Sequence, residues 1–208
     1  VNPRTDRRVV AGPAGDIACA LDAPDAEPRG LAVVCHPHPL HGGTMDNKVV
    51  ATLARAFLQC GWRTVRFNFR GVGGSGGAWD EGRGEIEDAL AVVQALRRPD
   101  ETLALAGFSF GAYVASHAAT RLQPSQLVLV GPATQNFTVA AVPAGTLVVQ
   151  GEADEVVPLS CTMDWARPQA QPVTVVPGGG HFFHGQLPLL KALVLRHLGQ
   201  IDTLSYDR

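Results

Sequence analysis

The chain is poor in charge and has no field of one sign. Asp, Glu, Lys and Arg make up only 17% of its 208 residues, and the formal net charge is −2 at pH 7. The isoelectric point is about 6.4. Without a basic patch or a block of like charge, nothing here is built to follow a phosphate backbone, so no nucleic-acid partner is expected. Long apolar runs are missing too. No stretch reaches the ~18 residues of a membrane-spanning helix, and none is expected to enter a bilayer. The first residues, Val1-Asn2-Pro3-Arg4-Thr5-Asp6, hold no hydrophobic signal core. Cysteine is sparse. Cys19, Cys35, Cys60 and Cys161 form no C-x-x-C pair and read as reduced, mostly buried side chains, which fits a cytoplasmic protein.

What the chain does have is an alternation of short apolar runs with longer amphipathic ones. Residues 9–11 and 17–21 read as a hairpin around Gly12-Pro13-Ala14-Gly15. Strands are expected over 31–35, 64–69, 102–106, 127–130, 146–150 and 173–176. Helices are expected over 47–60, 85–98, 110–122 and 187–198, with a short one over 159–165. Strands that lack polar alternation are buried on both faces, as in a parallel sheet covered by helices. The prediction is therefore an α/β fold, a mostly parallel eight-stranded sheet with its first two strands as an antiparallel edge. With no internal repeat and no linker, residues 1–208 are expected to form one domain. Only fourteen residues, 132–145, lie between Gly131 and the strand that begins near Thr146. That is too few to fold a cap over the sheet edge, so an open site is expected.

Gly107-Phe108-Ser109-Phe110-Gly111 is a G-x-S-x-G pentapeptide set between a strand-like and a helix-like run. This is the context of a nucleophile elbow, which holds a serine hydroxyl above the end of a sheet. A serine hydroxyl needs a base, and the base needs a carboxylate to orient it. In elbow proteins these follow in the order Ser, Asp or Glu, His. Asp154 comes directly after one apolar strand, in Gln150-Gly151-Glu152-Ala153-Asp154-Glu155. His181 comes directly after the next, in Gly178-Gly179-Gly180-His181. All three loops leave the same edge of a parallel sheet, so they can converge. Glu152 and Glu155 compete for the acid's role and His184 for the base's. The glycine run reads as freedom for His181 to swing in.

An oxyanion needs backbone N–H donors. Phe110, next to the serine, is one candidate. The other lies in His36-Pro37-His38-Pro39-Leu40-His41-Gly42-Gly43; prolines have no N–H, which leaves His38. The same loop supplies the rival chemistry, because His36, His38 and His41 have a spacing that can hold Zn²⁺. A further glycine run, Arg70 to Gly77, contains a G-x-G-x-x-G but lacks the acid that a dinucleotide site needs about 20 residues on. It reads as a flexible turn. Phe108, Phe110, Phe182, Phe183 and Trp79 are divided between a pocket lining and the core.

The blocks HPHPLHGGTMDNK, TVRFNFRGVGGSGG, LALAGFSFGAYVA, LVVQGEADEVVP and PGGGHFFHG together resemble the α/β-hydrolase superfamily. More narrowly, they are similar to its small capless bacterial serine hydrolases of the esterase and dienelactone-hydrolase type. The resemblance implies Ser109, Asp154 and His181 as a triad. The dienelactone branch carries a cysteine nucleophile where this chain has Ser109, so dienelactones are not the expected substrate. The expectation is a hydrolase of small or exposed acyl esters, needing no cofactor and no bound metal. Its partner is a small-molecule ester, and a monomer is compatible with that role. A thioesterase or acyltransferase would use the same triad, a Zn-dependent hydrolase would use the histidine loop, and a non-catalytic relative would leave Ser109 unactivated.

Overall fold

The computed structural model describes residues 5–204, with side chains to residue 199. Eight strands form one sheet: β1 (Asp6–Gly12), β2 (Gly15–Asp22), β3 (Leu31–Cys35), β4 (Arg63–Phe67), β5 (Leu103–Phe108), β6 (Gln126–Val130), β7 (Leu147–Gly151) and β8 (Thr174–Val176). Their spatial order is β1-β2-β4-β3-β5-β6-β7-β8. The β1–β2 hairpin pairs antiparallel, and β2 joins β4 antiparallel. Every pair from β4 to β8 is parallel. The expected architecture, including the antiparallel edge, is the one observed. Element ends shift by at most three residues, as helix and strand ends do, except that the last helix continues to Leu204, six residues past its expected end.

Side chains of consecutive strand residues face opposite ways, and this sorts the core into two layers. Leu103 and Leu105 of β5 pack with Leu31, Val33, Leu127 and Leu129 against helices α2 (Arg83–Leu96) and α3 (Phe110–Leu122). Ala104 and Ala106 pack with Ala32, Val34, Val128 and Val130 against α1 (Lys48–Gln59) and α5 (Leu187–Leu204). Strands β3, β5 and β6 are buried at every position, which is why their sequence shows no polar alternation. Helix α1 starts where the Asn47 side chain accepts from the amides of Val49 (2.9 Å) and Val50 (3.4 Å) and so satisfies two otherwise orphaned donors. Helix α4 (Leu159–Ala166) follows β7.

The segment from Gly131 to Thr146 folds no helix or strand, so no cap rises above the sheet. It lies against α3 instead. Phe137 packs on Phe110 with ring centroids 5.1 Å apart, and His117 Nε2 donates to the Thr138 carbonyl at 2.8 Å.

The Arg70–Gly77 turn differs from expectation, because it is strapped rather than free. Arg70 Nη2 donates to Asp88 Oδ1 at 2.7 Å and to the Gly84 carbonyl at 2.7 Å. The Arg70 amide donates to Asp88 Oδ2 at 3.0 Å. Ser75 Oγ donates to the Asn68 carbonyl at 2.7 Å, and the Gly76 amide donates to the Asp16 carbonyl at 2.8 Å. The turn therefore ties the hairpin to α2. Gly76 serves that closure, its carbonyl also accepting from the Gly71 amide at 2.9 Å.

Candidate active site

Ser109 joins β5 to α3 with φ 57° and ψ −118°, a strained conformation for a residue with a side chain. Its amide donates to the Val130 carbonyl at 2.9 Å, which ties the elbow to the next strand. The flanking glycines are there for space. A Cβ on Gly107 would lie 2.1 Å from the Gly111 carbonyl oxygen, and one on Gly111 would lie 2.2 Å from that of Cys35. Strand, elbow and helix meet with no room for a methyl group.

The structure brings His181 to Ser109, with Nε2 3.0 Å from Oγ. It brings Asp154 to the other side of the ring, with Oδ2 2.8 Å from Nδ1. All three residues are buried. The carboxylate cannot donate, so Nδ1 carries the proton and Nε2 is left as the acceptor for the serine hydroxyl. Burial opposes ionisation of Asp154. The bonds from His181 and from the Val157 and Val156 amides (2.7 and 2.9 Å to Oδ1) outweigh it and hold the carboxyl below its ordinary range.

The rival residues are placed elsewhere. Glu152 accepts from the Gly178 amide at 2.8 Å and so straps the two loops together. Glu155 and His184 are exposed. The glycine run does not let His181 swing. The Ala153 amide donates to the Gly179 carbonyl at 2.9 Å, and the Phe183 amide donates to that of Gly180 at 3.1 Å. The fully buried Phe183 ring anchors the loop in the core.

His38 and Phe110 lie on adjoining segments, their rings 5.2 Å apart. Phe110 is the first residue of α3, where the amide has no intrahelical acceptor. Neither its amide nor that of His38 donates to a group among the described residues. The His38 ring accepts from the Leu40 amide at 3.2 Å and stacks on His41 at 4.4 Å. Burial, and then the neighbouring His41, holds it below the ordinary imidazole range.

His36 is fully buried. Its Nδ1 donates to the Pro37 carbonyl at 2.6 Å, and its Nε2 accepts from the Phe69 amide at 3.0 Å. With both nitrogens committed, His36 has no lone pair to offer a metal. The three loop histidines do not form a ligand set, nor does any group of three or more His, Cys, Asp or Glu among the described residues. Burial pushes the Cys35 and Cys19 thiols up, Cys19 to about 12, so neither offers a thiolate. Phe108 and Phe110 join Phe183 in the core, Trp79 is half-buried, and Phe182 is exposed beside His181, ring centroids 5.1 Å apart.

Sequence reasoning missed Gln150. It is fully buried at the end of β7 and donates to Asp154 Oδ2 at 2.9 Å. Its signal was present: one polar residue closing the otherwise apolar run Leu147-Val148-Val149.

Comparison with known proteins agrees with this fold. Residues 26–139 match the Hydrolase_4 family, described as serine aminopeptidase, S33. The structure superposes on a lidless α/β serine hydrolase from Xanthomonas campestris with a TM-score of 0.88 and 40% identity, covering 96% of each chain. It superposes on an α/β serine hydrolase homologue from Coxiella burnetii with a TM-score of 0.86 and 42% identity, covering 93% of this chain and 97% of that one. An uncharacterized protein of Rickettsia prowazekii is 36% identical over 139 residues, which are 65% of this chain and 55% of that protein. The chain thus spans less than two thirds of the length of the curated relatives it matches. Family match, lidless fold and elbow serine agree: the chain belongs to the α/β serine hydrolases.

Proposed function

We propose that the protein cleaves carboxylic esters of small or exposed acyl groups through a Ser109–His181–Asp154 triad. One observation carries the reading: the His181 imidazole is held between the Asp154 carboxylate at 2.8 Å and the elbow serine at 3.0 Å. His181 Nε2 takes the hydroxyl proton as Ser109 Oγ attacks the ester carbonyl. The tetrahedral oxyanion is met by the amides of Phe110 and His38. His181 then gives the proton to the leaving alcohol, which departs as the C–O bond breaks. A water molecule repeats the sequence on the acyl-enzyme, releasing the acid and restoring Ser109. Asp154 keeps Nδ1 protonated throughout and stabilises the imidazolium. No cofactor enters any step.

Small or exposed acyl groups are favoured because nothing between Gly131 and Thr146 covers the sheet edge. Among the described residues no two cysteines are joined in a disulfide, which supports a reducing, cytoplasmic setting. No helix among those residues is long and apolar enough to cross a membrane. One catalytic unit and a single polypeptide suffice for the reaction.

The test is intact-mass labelling with a fluorophosphonate, on wild type and Ser109→Ala, with and without EDTA. A single adduct on wild type alone, indifferent to EDTA, is expected. A folded wild-type protein that takes no label would overturn the triad. A chain-length series of p-nitrophenyl esters addresses the acyl group, and preference for long chains would contradict the small-substrate reading.

A further inference from the structure

Gln150 is the last residue but one of β7, its side chain fully buried, four residues before the proposed triad acid. Its amide nitrogen donates twice, to Asp154 Oδ2 at 2.9 Å and to the Val157 carbonyl at 2.9 Å. Its amide oxygen accepts from Thr162 Oγ1 at 3.0 Å. Only this amide orientation works. Flipped, the oxygen would face a carboxylate and a carbonyl, neither of which can donate. Thr162 spends its single proton on Gln150, so at the 3.4 Å contact between the two threonine hydroxyls Thr134 must be the donor. The donors therefore run one way, from Thr134 to Thr162 to Gln150 to Asp154 Oδ2.

We propose that Gln150, locked by Thr162, is the positioning residue of the triad acid, fixing the carboxylate oxygen that faces His181. The inference rests on the triad reading. The Val156 and Val157 amides hold Oδ1 alone, and a carboxylate held by one oxygen is free to rock about that anchor. The Gln150 donor holds the second oxygen. Its bond to the Val157 carbonyl also ties the strand to the loop that supplies one of those amides. Thr162 comes from α4 and Thr134 from the segment after β6, so three elements aim one carboxylate. A donor chain in a dry interior is polarised along its length. A half-satisfied one is costly, so each member of the chain depends on the next.

The test compares Gln150→Leu, Thr162→Val, Thr162→Ser and Ser109→Ala on p-nitrophenyl acetate. It reads kcat and KM separately, thermal melting, and the low-field proton resonance of His181 Nδ1–H. Misaiming the base should lower kcat for Gln150→Leu by about tenfold or more, with KM within about twofold and the His181 resonance displaced from its wild-type position. Thr162→Val should lower kcat in the same sense by less, and Thr162→Ser should restore it. A folded Gln150→Leu protein with wild-type kcat and an unmoved resonance would overturn the proposal. So would a kcat loss with an unmoved resonance, since that describes a merely structural residue. If Gln150→Leu does not fold, the Thr162→Val and Thr162→Ser pair is judged by the same two readouts. Full turnover by Ser109→Ala would sink the triad itself. An inactive Ser109→Ala beside an unaffected Gln150→Leu would sink only the role of Gln150.

Discussion

Asp154 Oδ2 lies 2.8 Å from His181 Nδ1, while its other oxygen accepts from the amides of Val156 and Val157. This division of labour dictates the outcome of Asp154→Asn. The two backbone donors at Oδ1 outnumber the single Gln150 donor at Oδ2 and draw the carboxamide oxygen to the Oδ1 position, so the NH₂ group faces His181. Nδ1 then has to accept, and the proton moves to Nε2, where the ring can no longer take one from Ser109. Loss of roughly 10³–10⁴ in kcat is expected from this tautomer exchange, with the fold intact by circular dichroism. A rate within tenfold of wild type would show that another group orients the base.

Gly111 sits where the elbow helix touches the histidine loop. A methyl group there would lie 2.2 Å from the Cys35 carbonyl oxygen and 2.6 Å from that of His36. These are backbone atoms, so no side chain can yield. Gly111→Ala should cost about 1–3 kcal/mol by overpacking and should push the loop bearing His38 away from Phe110. The expected result is a lowered melting temperature with a fall in kcat. Gly42→Ala, whose added Cβ meets nothing within 4 Å, should leave kcat near wild type despite its positive φ. Equal effects on kcat at both positions would contradict the argument.

Much of this arrangement was legible in the sequence, for identifiable reasons. Apolar runs without alternation revealed buried parallel strands, and the elbow pentapeptide marked the end of one of them. Asp154 and His181 stood out because each directly follows such a run. Spacing did not separate Asp154 from Glu152 and Glu155, because all three share one loop. The choice comes from the Val156 and Val157 amides, which close on residue 154. Nor was the Arg70–Gly77 strap legible. Its partner Asp88 lies eighteen positions away within an ordinary-looking amphipathic helix. Nor could the sequence say what holds His36, which the rival metal reading shared with His38 and His41: its partners are backbone groups of Pro37 and Phe69, which leave no mark in a sequence.

The Arg70–Asp88 pair makes a stability prediction away from the site. Asp88 is almost fully buried and meets Arg70 through its side chain and its amide. Removing the acid alone leaves a guanidinium stranded beneath the turn. Asp88→Ala should cost about 3–5 kcal/mol, read by urea unfolding at neutral pH. Asp88→Asn keeps an acceptor and should cost less. A change under 1 kcal/mol in Asp88→Ala would mean that the turn is held by its backbone bonds.

His36 predicts how stability responds to acid. Burial, only partly offset by its bond to Pro37, pushes this imidazole down to about 4 from an ordinary 6.5. Between those values the unfolded chain binds a proton that the folded chain refuses, so stability falls as pH drops through that window. The shift corresponds to up to about 3 kcal/mol, present in full above pH 6.5 and lost progressively towards pH 4. His36→Gln keeps one donor and one acceptor at this buried site, facing the Pro37 carbonyl and the Phe69 amide, but cannot titrate. The variant should therefore lose part of the decline in melting temperature between pH 7 and pH 4.5. Asp154, whose carboxyl is held below its ordinary range, adds a separate loss only at lower pH, as its folded form takes up a proton. If wild type and His36→Gln decline in parallel between pH 7 and pH 4.5, the buried imidazole is not what makes the protein sensitive to mild acid.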